Sequence, residues 1–260
     1  MRKAIIATMV AVCAIAAGTA AAASVGADTG NVAFSSNKAG SSKHPHAVGY
    51  TLTIDTAATG GALPQVTREV KLRIYGMKVD GKHFPTCSFN KILNAKNDNV
   101  CPKKAEVGSG SIVATLQGPP GTPPTPCTPF LDVWNSGQGQ LTYFFRVAGS
   151  HQCGGLQTGS TPPYKGTYKT QGGFFSSDVK IPDKINYPVT NLTGLLFHEH
   201  LFFTSQSKKQ KGKEYISQAV TGCKNGKRPW ALTVLTAPFG STPSTPSQIS
   251  VTTGSSSCSK

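Results

Sequence analysis

Hydrophobic and polar residues alternate along several stretches of this chain. Between Val66 and Tyr75, Val70, Leu72 and Ile74 interleave with Glu69, Lys71 and Arg73. A period of two places one set on a dry face and the other in water, the signature of a half-buried β-strand. His46 to Asp55 repeats the pattern with Val48, Tyr50, Leu52 and Ile54 on one side. Leu141–Val147 and Trp230–Leu235 are further β-rich runs, and Leu195–Phe203, apolar on both faces, is predicted to lie centrally in a sheet. Asp80-Gly81 and Asn225-Gly226 are short-turn signals. Gly118–Pro126 and Ser241–Ser247 are Pro/Thr-rich and predict exposed loops. One departure from strand periodicity stands out: Ser88 precedes Phe89, Ile92 and Leu93 at helical spacing and can cap a helix near residues 88–94. The prediction is an all-β chain, an antiparallel β-sandwich of roughly ten strands, Ig-like or jelly-roll-like, with that one short helix.

Composition narrows the class. The chain has 260 residues, with 28 Gly and 18 Pro, and only 14% are charged. So many helix breakers argue against a helical bundle, and so few charges against a coiled coil. Near the N-terminus, Arg2 and Lys3 precede an apolar run from Ala4 to Ala17, then small residues through Ala23. This order predicts a signal peptide over 1–23, and a single secreted domain over 24–260 in which 24–43 is frayed or an edge strand. A retained anchor helix is the competing reading of the same run. No second apolar run is long enough to span a bilayer, so no transmembrane segment is expected after cleavage.

Cleavage removes Cys13 and leaves Cys87, Cys101, Cys127, Cys153, Cys223 and Cys258. An even count in an exported chain without a CxxC pair favours disulfides over zinc. Six cysteines allow 15 pairings. Pairing sequence neighbours gives one set: Cys87–Cys101, Cys127–Cys153 and Cys223–Cys258.

A stretch beginning Gly81-Lys82-His83-Phe84-Pro85-Thr86-Cys87-Ser88, followed by Cys101-Pro102 and Val107-Gly108-Ser109-Gly110, resembles uncharacterised secreted, disulfide-containing proteins of high-GC Gram-positive bacteria. The order Cys223, turn, Trp230, Cys258 is similar to their C-terminal pattern. The resemblance implies a secreted β-sandwich and brings no catalytic residue. Physically, Pro85 and Pro102 restrict the chain beside the cysteines, and Gly108 and Gly110 permit a bulge.

The charge changes the picture most. Lys and Arg number 26 against 11 Asp and Glu, a formal +15 that falls to +13 without Arg2 and Lys3. Lys208, Lys209, Lys211 and Lys213 cluster at one predicted hairpin tip. Lys224, Lys227 and Arg228 mark another turn, and Lys91, Lys96, Lys103 and Lys104 surround the first disulfide. If these tips share one end of the fold they form an anion-binding surface; scattered, they only solubilise and protect strand edges. Export points away from nucleic acid and toward anionic envelope polymers or glycans as partner.

Candidate chemistry is sparse. His198 and His200 would face the same way on a strand, beside Leu196 and Phe202, and form a candidate metal pair with His44, His46, His83 or His151 as third ligand. The HExxH and Gly-x-Ser-x-Gly motifs are absent. Asp132 and Glu199 are the acids embedded in apolar strands, each a candidate perturbed acid in a cleft. Trp134, ahead of Asn135-Ser136-Gly137, is the better exposed candidate for stacking on sugars, while Trp230 reads as core; Tyr164 and Tyr168 share a strand face. The leading expectation is a non-catalytic secreted protein that associates with anionic envelope material and needs no cofactor. An extracellular hydrolase acting on glycans or esters is the alternative, and a metal-dependent protein using His198 and His200 the third.

Overall fold

A computed structural model describes residues 28–56, 63–240, 245 and 247–259. The predicted leader over 1–23 lies outside these residues. The chain is all-β and antiparallel. Eleven strands form one continuous sheet: β1 (Thr29–Phe34), β2 (Tyr50–Asp55), β3 (Val66–Tyr75), β4 (Glu106–Gln117), β5 (Phe130–Gly137), β6 (Gln140–Arg146), β7 (Tyr164–Gln171), β8 (Phe174–Lys180), β9 (Thr193–Phe203), β10 (Lys227–Ala237) and β11 (Gln248–Ser257). Their order is β1-β2-β9-β4-β5-β6-β7-β8-β3-β10-β11, with the short strand Thr125–Cys127 added on β4. The layers expected of a sandwich therefore come from one sheet that curls until β11 returns beside β1. Gly30 permits that approach, since a methyl there would collide with Leu232 of β10.

The alternating residues fill the inside. Leu52 and Ile54 of β2, Val70, Leu72 and Ile74 of β3, Leu201 of β9, and Leu232 and Val234 of β10 belong to one buried cluster. The wet partners of the β3 alternation, Lys71 and Arg73, face out. The run from His46 is two strands: His46–Ala47 and β2 are separated by Val48-Gly49. His46–Ala47 joins Gln218–Val220 and Met77–Val79 in a small separate sheet.

Helix α1 (Phe89–Ala95) starts where the cap residue predicts. The Lys91 amide donates to Ser88 Oγ at 3.3 Å, and Lys96, left-handed at φ 51°, ends the helix. Ile92 packs with Trp134 and Phe144 on the outer wall of the sheet. A single turn, α2 (Asp183–Asn186), lies between β8 and β9. All three disulfides join the sequence neighbours: Cys87–Cys101, Cys127–Cys153 and Cys223–Cys258. Such bridges form and persist in oxidising compartments. No described helix is long and apolar enough to cross a membrane.

Candidate functional site

Four groups of residues are chemically notable, and the sheet registers decide where each lies. The rungs Phe34–Tyr50, Tyr50–Phe203, Phe203–Gly108, Glu106–Trp134, Gly137–Gln140 and Gln171–Phe174 run round one rim. The chain leaves β9 at this rim and forms the hairpin Ser207–Gln210/Lys213–Ile216. The chain also enters β10 here, after the Asn225-Gly226 turn, both of whose residues have positive φ. Lys209, Lys211, Lys213, Lys224 and Lys227 are exposed, and Lys208 is half-buried with its ammonium over the Phe84 ring. Lys38 and Lys82 join them: Lys38 bridges to Ser259 beside the end of β11, and Lys82 donates its amide to Gln138 at the β5–β6 turn. Not every nearby acid is engaged: Glu214, exposed in the hairpin opposite Lys209, takes back part of the charge. Asp80 lies 2.6 Å from His83 Nδ1, and Glu106 pairs with Lys103.

Two parts of the lysine expectation need correction. Lys96 follows α1 down the wall, where its carbonyl abuts Gly159 beyond the far ends of the strands. Arg228, expected as a surface contact, is fully buried. Its guanidinium donates to Ser36 O at 3.3 Å and Lys38 O at 3.2 Å, and lies over Phe34. Alternation is the reason: Arg228 and Trp230 are the inward residues of β10's first turn of the pleat, and Lys227 the outward one.

Trp134 is also corrected. It is 5% exposed, and its indole N–H donates to Asp98 Oδ2 at 3.2 Å, so it offers no stacking face. That bond belongs to an acid pair. Asp98 shares a hydrogen bond with Asp132, and burial pushes the Asp98 carboxyl up to about 6, with the Asp132 charge adding to the shift. Arg146 Nε donates to Asp132 Oδ2 at 2.9 Å. Two carboxylates in direct contact are closer than either glycosidase geometry, which needs at least about 5 Å. Asp98 and Asp132, 3% and 5% exposed, sit at the floor of an open cleft of about 720 Å³ that Arg146, His151 and Phe202 also line, and they clasp the Cys87–Cys101 loop to β5.

His198 and His200 do share the outer face of β9, with ring centroids 6.1 Å apart. His198 Nδ1 lies 2.6 Å from Asp55 Oδ1, and His200 Nδ1 lies 3.3 Å from Thr53 Oγ1. Phe202, half exposed, meets the His200 ring edge-on. Leu196 is not beside them. The register shifts between Leu196 and His198, and this bulge turns Leu196 to the interior. Among the described residues no group of three His, Cys, Asp or Glu side chains is arranged to hold a metal ion.

The same bulge determines the face of Glu199. After it, Glu199, Leu201 and Phe203 point inward. Glu199 lines two internal spaces. One, of about 110 Å³, is walled by Ile112, Leu116, Phe145, Ile185 and Leu196 and opens beside the Cys127–Cys153 bridge, at the rim opposite the lysines. The other, of about 20 Å³, is bounded by Tyr50, Tyr143, Tyr164 and Leu201. Burial pushes the Glu199 carboxyl up to about 7, with His198 opposing the shift. The tyrosines were readable as strand residues, but nothing in the sequence signalled that their phenols converge on Glu199.

No protein-family model, curated protein or solved structure matches this chain. Its functional reading rests on its own geometry.

Proposed function

We propose that this is a secreted, non-catalytic protein that holds anionic polymers of the cell envelope through its lysine-bearing rim. The observation that carries the reading is the convergence of the 207–216 hairpin and the 224–227 turn on one rim, with Lys38 and Lys82 beside them. Exposed lysines from separate segments, which outnumber Glu214 and the paired Asp80 and Glu106 beside them, sum to a positive field that a flexible polyanion can follow. The disulfides suit life outside the cytoplasm. The predicted leader suits it too.

Binding of this kind needs no pocket and tolerates polymer irregularity. Its affinity is spread over many weak contacts, so a single lysine matters little and a cluster matters much. Replacing Lys208, Lys209, Lys211 and Lys213 together by Ser should lower retention on purified envelopes at least tenfold at low salt. A matched replacement of Lys96, Lys165, Lys180 and Lys184, which lie on the wall or toward the opposite rim, should change it little. Equal losses in the two variants would mean that total charge, and not the rim, governs association. No loss in either would overturn the reading.

The alternative hydrolase reading has no comparable support. Its acid pair, Asp98 and Asp132, lies at the floor of an open cleft but is in direct contact and tied to Trp134 and Arg146, too close together for either glycosidase geometry.

A further inference from the structure

Glu199 differs from the ion-paired acids of this protein by lining an internal cavity. Asp55, Asp80, Glu69, Glu106 and Asp132 each have a basic or histidine partner. Glu199 points inward and lines the cavity, and its carboxylate has no hydrogen-bond partner among the described residues. It keeps some accessible surface, because that surface faces the internal cavity. A buried carboxylate without donors is costly and is not retained for packing alone. Tyr50, Tyr143 and Tyr164 line the inner space with no hydroxyl hydrogen bond among the described residues, so the polar end of the cavity has unused hydrogen-bonding capacity.

The outer space is mainly apolar. Ile112, Leu116, Phe145 and Ile185 dominate its walls, with the Thr67 hydroxyl, buried without a partner among the described residues, and Asn186 as polar spots. The sequence of surfaces from the mouth inward is therefore solvent, hydrocarbon, then acid and phenols. A ligand matching that order has an apolar body and a head that donates hydrogen bonds and carries positive charge. At about 110 Å³ the cavity is somewhat smaller than one of about 150 Å³ that accommodates benzene. The mouth is open, so a longer body can project outward.

We infer that this cavity is a binding site for a small apolar ammonium ion, its hydrocarbon body against Ile112, Leu116, Phe145 and Ile185 and its N–H groups on the Glu199 carboxylate. The head is an ammonium and not a carboxylate because a second acid would face Glu199 at close range. A neutral alcohol would leave the carboxylate's charge uncompensated. The site is independent of the lysine rim, which lies at the other end of the sheet.

The test is calorimetric titration of the disulfide-bonded protein with benzylammonium, benzyl alcohol and benzoate. Benzylammonium should bind saturably and at least tenfold more tightly than either analogue. Glu199→Gln should reduce benzylammonium to the level of the alcohol while leaving the alcohol unchanged. Ala114→Phe, which fills the outer space but leaves the acid, should abolish binding of all three. Near-UV circular dichroism reports whether each variant retains its fold; if Glu199→Gln does not, Ala114→Phe and the wild-type ligand series decide. Equal affinity for alcohol or benzoate, indifference to Ala114→Phe, or no binding by folded wild-type protein would overturn the inference.

Discussion

Glu199 and Arg228 are both charged residues carried inward by strand alternation, and they settle differently. Glu199 lacks a partner, so burial raises its carboxyl to about 7, against roughly 4.3 for a free side chain. A group raised on folding favours the native state most below its unfolded value and loses that contribution as pH climbs through its folded value. Thermal stability should therefore decline from about pH 4 through pH 7, by roughly 4 kcal/mol at most from this residue. Glu199→Gln should flatten that part of a melting-temperature profile. Asp98, raised to about 6, acts with the same sign over pH 4 to 6, and Asp98→Asn should remove the lower portion only. Unchanged profiles in both variants would show that neither carboxyl is perturbed. Arg228 finds carbonyls for its two terminal nitrogens, while its Nε is buried without a partner among the described residues. Arg228→Met removes its bonds to Ser36 and Lys38 and should cost about 1 kcal/mol in urea unfolding, since the accepting carbonyls are only partly buried. It should leave envelope retention unaltered, because the guanidinium never reaches solvent.

At the scale of elements, local signals were strong wherever a strand was long and one face dry. Val66–Tyr75 matches β3 residue for residue, and Ser88 places the start of α1. Ser88→Ala should destabilise by about 1 kcal/mol, read from the denaturation midpoint, since the Lys91 amide loses its side-chain acceptor. What alternation did not reveal was where it breaks. The bulge after Leu196 and the interruption at Val48-Gly49 arise from pairing with neighbouring strands distant in sequence. A one-residue change of phase exchanges inside for outside, and for that reason His198 and His200 were legible as a pair while the companion role of Leu196 was not. Trp134 failed for a related reason: its partner Asp98 comes from a loop 36 residues earlier. The acids Asp132 and Glu199 were visible as oddities in apolar strands, but their partners, or the lack of them, depend on the closed sheet.

For the whole molecule, curling one sheet round a single core gives the protein two unlike ends. One rim gathers the exposed lysines of the 207–216 hairpin and the 224–227 turn. The other opens into an apolar cavity ending at Glu199. The sequence showed the clusters of lysine; only the register of the rungs shows which of them share a rim. The direct test of that arrangement is the salt dependence of the protein's association with purified cell envelopes. Sedimentation across about 20 to 500 mM salt spans Debye lengths from roughly 20 to 4 Å. If the lysine rim carries the function, the bound fraction falls steadily over that range and is recovered on dilution. Association that persists undiminished at the highest salt, or none at the lowest, would contradict it.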